Sequence, residues 1–242
     1  MPESSQPKRE FQTTHWSAVL AAGGNDSAAK SALTRLCGAY WHPLYAFLRR
    51  SGCSIEDAED LTQGFFAHVL EHRSLAAITR EKGRFRSFLL TALKNYAGHV
   101  RERANAQKRG GGAQVLPLDT AAAEDHYRTE PAERLTPDRL FDRRWAMTVL
   151  ERALARVQRD FVKKEKRELF DTLRPALLSE HPRMTYTDIA LRFDTTEGAI
   201  KLLVHRLRRS YRAALRSEIA ETVGSLEDVD GELRHLLGAL TD

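Results

Sequence analysis

Apolar residues in this chain return every three or four positions and nowhere alternate over more than a few residues, so the material is helical and contains no sustained strand pattern. Residues 27–51 set Leu33, Leu36, Tyr40, Leu44, Phe47 and Leu48 on one stripe, with Pro43 an expected kink and Ser51-Gly52 the stop. Ser54 is placed to cap the next helix. Its stripe, Ala58, Leu61, Phe65 and Val69, runs out near His72, and its first turn holds Glu56 and Asp57 at the positive end of the helix dipole. A further helix carries Phe85, Phe88, Leu89, Ala92, Leu93, Tyr96 and Val100. Ahead of these, Thr14 would cap a short helix that Gly23-Gly24-Asn25 breaks. After Gly110-Gly111-Gly112 the pattern collapses. It resumes at Leu140 through Phe141, Trp145, Val149, Leu150 and Leu154, then Phe161, Leu169, Phe170 and Leu173, with Pro175 and Pro182 as punctuation.

The expected fold class is therefore all-α: two small helical domains joined by a flexible linker, the C-terminal one a helix-turn-helix. The expected boundaries are a disordered arm over 1–13, a first domain over 14–109, a linker over 110–139, a second domain over 140–217 and an acidic tail over 218–242. A chain of 242 residues is long enough to give both domains a core.

The second domain holds the sharpest local pattern, in residues 185–212. Thr185 and Asp188 have capping-box spacing, and Ile189, Ala190 and Phe193 form a buried stripe. Asp194 and Thr195 mark a break, and Thr195 or Thr196 caps a second helix with Ile200, Leu203, Val204 and Leu207 facing inward. Small Ala190 suits the close approach of two helices that cross steeply. From 198 to 216 the basic residues are Lys201, Arg206, Arg208, Arg209, Arg212 and Arg216 and no residue is acidic, which suits a helix lying between two rows of phosphates.

Net charge is only +5, but its distribution is uneven. Residues 82–109 carry Lys82, Arg84, Arg86, Lys94, Arg101, Arg103, Lys108 and Arg109 against Glu102 alone; the tail inverts the sign, with Glu218, Glu221, Glu227, Asp228, Asp230, Glu232 and Asp242 against Arg234. Such a tail is repelled by DNA and suited to covering a basic face. No apolar run approaches the roughly 18 residues of a membrane span, so a cytoplasmic protein without membrane contact is expected. Cys37 and Cys53 have no metal-binding spacing and are too few for a disulfide framework; plain thiols are expected.

The run Ile55-Glu56-Asp57-Ala58-Glu59-Asp60-Leu61-Thr62-Gln63-Gly64-Phe65-Phe66, the run Phe85-Arg86-Ser87-Phe88-Leu89 followed by Lys94-Asn95, and the pattern of residues 185–209 occur in this order. Together they resemble bacterial RNA polymerase sigma factors of the compact extracytoplasmic-function (ECF) type, over nearly everything from Ala32 to Arg216. The chain departs from that pattern at Gly64, where an acidic residue is usual, at Asp194, where the turn commonly has glycine, and at Leu202-Leu203, where Ser-Arg is frequent. Asp194 can take the left-handed turn conformation at modest cost. Leu203 removes a phosphate contact, and Leu202 puts an apolar side chain near the groove face.

The resemblance implies a promoter-specificity subunit with no covalent chemistry, no catalytic residue, no cofactor and no metal. Its implied partners are core RNA polymerase and promoter DNA, duplex and melted, and it leaves open an anti-sigma factor or another regulator. Glu56, Asp57, Glu59, Asp60 and Gln63 would dock on the polymerase. Arg84, Arg86, Lys94, Asn95, Tyr96, His99, Arg101 and Arg103 would serve the downstream promoter element. There cations track the backbone, and aromatic or amide groups hold an unpaired base. Melting costs on the order of 1.4 kcal/mol per base-pair step, and stacking an extruded base returns roughly 1–3 kcal/mol. Thr196, Glu197, Lys201, Leu202 and His205 would face bases of the upstream element, and Arg206, Arg208 and Arg209 its phosphates.

Two rival readings remain. His68-Val69-Leu70-Glu71-His72 matches an H-x-x-E-H zinc spacing, but no third ligand or other catalytic constellation accompanies it. A stand-alone helix-turn-helix regulator binding DNA as a dimer would need neither the acidic helix nor the basic-aromatic one.

Overall fold

The structure is a computed structural model, and it describes residues 27–71, 84–106, 124, 127, 135–178 and 184–241. The chain is all-α. The helices are α1 (Ser27–Arg50), α2 (Ile55–Glu71), α3 (Phe85–Ala106), α4 (Pro137–Val162), α5 (Arg167–Leu173), α6 (Pro175–Leu178), α7 (Tyr186–Arg192), α8 (Glu197–Ala220) and α9 (Val229–Thr241), the last preceded by a 3-10 turn over Leu226–Asp228. Among the described residues the one extended pairing is an isolated antiparallel bridge between Arg84 and Val223. No described helix is long and apolar enough to cross a membrane. The arm over 1–13, the short helix near Thr14, His72, the Cys37 side chain and most of the linker lie outside the described residues.

Helix ends follow their local chemistry. At the end of α1, Cys53 N–H donates to the Leu48 carbonyl and Gly52 N–H to that of Arg49, a closure that needs the left-handed backbone Gly52 supplies at φ 90°. The same two-bond closure ends α7, where Thr195 N–H reaches Ala190 and Asp194 N–H reaches Leu191. There the left-handed residue is Asp194, at φ 46°, as its position after the stripe suggested. A third copy ends α4, with Glu165 at φ 57°. Pro43 lies inside α1, and Ser54 caps α2 by accepting from Asp57 N–H at 3.0 Å.

Two apolar clusters result. The first gathers Tyr40, Leu44 and Leu48 of α1, Leu61, Phe65 and Val69 of α2, Phe85, Leu89 and Leu93 of α3, and Phe141, Trp145 and Val149 of α4. Tyr40 is its centre: its ring meets Phe85 edge-on at 5.0 Å, and its hydroxyl accepts from the Trp145 indole at 2.9 Å. The second cluster joins Ala153 and Val157 of α4 to Phe170, Leu173, Ile189, Ala190, Ile200, Val204 and Leu207. Helix α4 therefore belongs to both cores, and so does α8, whose Ile219 returns to the first. Val223, Val229 and Leu236 follow it there, so the chain's acidic end is packed on the N-terminal core. Within 110–139, Glu124 is buried and takes hydrogen bonds from the Tyr45 hydroxyl and from Arg49.

Candidate functional site

Helix α2 presents two faces because its stripe repeats every 3.6 residues. Ala58, Leu61, Phe65 and Val69 are buried, while Glu56, Asp57 and Asp60 are exposed and Glu59 and Gln63 partly so. Thr62 lies on the buried side, its hydroxyl donating to the Ala58 carbonyl. Among the described residues none of Glu56, Asp57, Glu59 and Asp60 forms an ion pair, so the outer face is an uncompensated acidic row.

Beside that row, α2 and α3 enclose a pocket of about 340 Å³. Phe65, His68 and Phe88 form walls, and Asn95, Tyr96, His99 and Arg103 line it from α3. The Tyr96 ring lies 5.9 Å from Phe65 and 5.4 Å from His68. Its hydroxyl rests over Gly64, where an added Cβ would come within 2.5 Å of it. Gly64 is what admits the phenol. Burial raises the Tyr96 pKa above the ordinary phenol value, opposed by the nearby Arg103 charge. The pocket thus combines aromatic faces, an amide and cations.

The cations expected on this element divide among different tasks. Lys94 pairs with Asp138 at 2.6 Å and lies over the Phe47 ring at 5.2 Å. Arg101 is exposed and reaches the Cys53 sulfur at 3.5 Å; Arg103 is exposed at the pocket. Arg84 and Arg86, at the other end of α3, turn instead to Glu232 of α9. Arg86 is buried, and its second partner is Asp142 at 2.8 Å.

The third surface is α7, the turn over 193–196, and α8. Thr185 and Asp188 form the full capping box, and Thr196 caps α8 by accepting from Ala199 N–H at 3.2 Å. Ile200, Val204 and Leu207 are buried, so Lys201, His205, Arg206 and Arg209 are exposed, and Leu202 is 49% exposed among them. Leu203 is half-buried on the second cluster. Glu197 pairs with Lys201 at 2.6 Å and accepts from the Thr187 hydroxyl at 3.1 Å. Those hydrogen bonds, Lys201 first, hold the Glu197 carboxyl below its ordinary range, and Glu197 in turn raises Lys201. Arg208 does not share the outward face: its Nε and Nη2 both donate to the Ala176 carbonyl, at 3.1 and 2.8 Å. It anchors the short helix α6.

The structure therefore brings Asn95, Tyr96, His99 and Arg103 to one pocket and puts Lys201, Leu202, His205, Arg206 and Arg209 on one helix. It holds Arg84, Arg86 and Arg208 in internal contacts. His68 and Phe88 are pocket walls that the sequence places in a zinc spacing and on an apolar stripe; His68 stands one turn from Phe65, and Phe88 two turns from Tyr96 on the same face. Among the described residues no cluster of metal-ligating side chains is present. Comparison with protein-family models, curated proteins and solved structures finds no match to this chain.

Proposed function

We propose that this chain is a promoter-specificity subunit of the ECF sigma type: it binds core RNA polymerase, reads two DNA elements and helps open the downstream one. The observation that carries the reading is the pairing on α2 of an unpartnered acidic row with an adjacent pocket of aromatic, amide and cationic groups. The acidic row is a docking surface for a basic partner, at low cost because nothing must be unpaired first. The pocket suits an extruded base: Tyr96 and Phe88 offer ring faces over the buried Phe65, Asn95 a donor and acceptor, and Arg103 a phosphate contact. A separate capped helix, α8, exposes Lys201, Arg206 and Arg209 to a duplex groove and Glu197 to an exocyclic amine.

The test is copurification with core bacterial polymerase, followed by transcription from a library of random upstream sequences. Co-elution and initiation at sequences sharing two spaced motifs is the expected result. Binding to DNA as a dimer without any association with core would replace this reading with that of a stand-alone regulator.

A further inference from the structure

The cationic end of α3 is occupied by the chain's own C-terminus. Arg84 pairs with Val223 as an isolated bridge, and Phe85 N–H donates to the Thr222 carbonyl at 3.1 Å, so the backbone after α8 is stitched to the start of α3. One turn into α9, Glu232 is 1% exposed, with Arg86 Nε donating to its Oε1 at 2.6 Å and Arg84 Nε 3.0 Å from its Oε2. Asp142 of α4 completes the cluster, bonded to Arg86 and 3.2 Å from His235 of α9, while the Arg86 guanidinium lies 5.4 Å above the Trp145 ring. Arg216 and Asp230 pair at the rim. Val223, Val229 and Leu236 fill the apolar part of the seam.

Two features distinguish this seam from an ordinary core contact. Apart from Arg86–Asp142, the ion pairs of its polar half cross between the C-terminal segment and the rest of the chain, so a competing polyanion meets cations already arranged for anionic oxygens. The buried carboxylate is also incompletely satisfied: Glu232 Oε2 accepts no hydrogen bond, although Arg84 is close to it.

We propose that residues 222–241 are an intramolecular partner of the α3 N-terminus, and that a nucleic-acid phosphate backbone competes with Glu232 for Arg84 and Arg86. This rests on the nucleic-acid reading of α3. With α9 seated, α3 offers DNA the pocket-side groups alone; with α9 displaced, it offers two further arginines. The acidic tail covers a basic face, and the face is a specific one.

The experiment measures affinity for a fluorescent random-sequence single-stranded oligonucleotide across a salt series. It compares the full chain, Glu232→Gln and Glu227→Gln, each first shown to be folded by circular dichroism. Glu227 is an exposed tail acid with no ion pair among the described residues, so its variant removes the same charge without releasing an arginine. Each arginine that reaches a phosphate steepens the slope of log K against log salt by about 0.7 for a single strand, so Glu232→Gln is expected to be steeper by up to about 1.4 and Glu227→Gln to match wild type. Hydrogen exchange supplies the second readout: with saturating oligonucleotide, exchange over 222–241 should rise further in Glu232→Gln than in the wild type, with α1 unchanged in both. Binding with equal slopes in all three proteins and unaltered protection over 222–241 would overturn the competition alone. Absence of oligonucleotide binding in every protein would overturn the nucleic-acid reading, and the competition with it.

Discussion

Gly64→Ala tests the geometry of the pocket without reference to any ligand. In the interior of a helix such as α2, alanine is favoured over glycine by about 0.8–1.0 kcal/mol. Here the new methyl would sit 2.5 Å from the Tyr96 hydroxyl oxygen, about 1 Å inside ordinary contact, while the next ring atom, Cζ, is at a comfortable 3.5 Å. Tyr96 must therefore move, and it is held against Phe65 and His68. Overpacking of this kind costs typically 1–3 kcal/mol, so Gly64→Ala alone should destabilise by up to about 2 kcal/mol. In a Tyr96→Phe background the offending atom is gone, and the same substitution should stabilise by about 1 kcal/mol. The sign reversal is the signature, with a coupling of about 1–3 kcal/mol. Urea unfolding followed by tryptophan fluorescence reads it, in a Trp16→Phe background so that Trp41 and Trp145 of the first cluster report. Equal effects of Gly64→Ala in both backgrounds, with coupling below about 0.5 kcal/mol, would refute the placement of the phenol over Gly64.

Three further outcomes are expected. Glu165→Gly and Asp194→Gly should each stabilise by about 0.5–1 kcal/mol in urea unfolding, because left-handed backbone costs a side-chain-bearing residue about 1–2 kcal/mol and glycine's greater unfolded-chain entropy takes back part of that gain; destabilisation at both would contradict the two-bond closures that end α4 and α7. On duplex DNA, Arg209→Gln should flatten the salt slope by about 0.9, whereas Arg208→Gln, whose arginine is spent on the Ala176 carbonyl, should lower stability and leave the slope unchanged. Burial, as the largest cause, raises the phenol pKa values of Tyr40 and Tyr45 well above 10. The unfolded chain then loses these protons first, so their contribution is complete below about pH 10 and declines above it, by about 1.4 kcal/mol per phenol at pH 11. Urea midpoints that stay level between about pH 9 and pH 11 would count against that burial.

What could be read from the sequence here is what acts over a few residues. Thr185 and Asp188 are three apart, Ser54 and Thr196 stand directly before their stripes, and Gly52 directly after one, so caps and stops follow from spacing alone. The same holds for the stripes of α2 and α8, and for the left-handed Asp194. Pairings across the chain leave no such trace: Tyr45 finds Glu124 79 positions away, Trp145 finds Tyr40 105 away, and Arg86 finds Glu232 146 away. Part of that was nevertheless available, since Val229, Leu233, Leu236 and Leu240 repeat at helical spacing within the acidic tail and mark a face that must be covered.

Counting charge along the sequence therefore overstates the surface a polyanion meets. Of the two basic blocks, Arg84 and Arg86 are taken by Glu232, Lys94 by Asp138, Arg208 by a carbonyl and Arg216 by Asp230. Apart from Arg101, which reaches the Cys53 sulfur, Arg103, Arg206, Arg209 and Arg212 remain without a carboxylate partner among the described residues. They fall into two sets, one at the α2–α3 pocket and one along α8, each beside a capped helix or an aromatic wall that gives the charge a fixed position. A long run of like charge would bind any polyanion; a few unpaired cations held at two separate sites can distinguish one nucleic-acid shape from another.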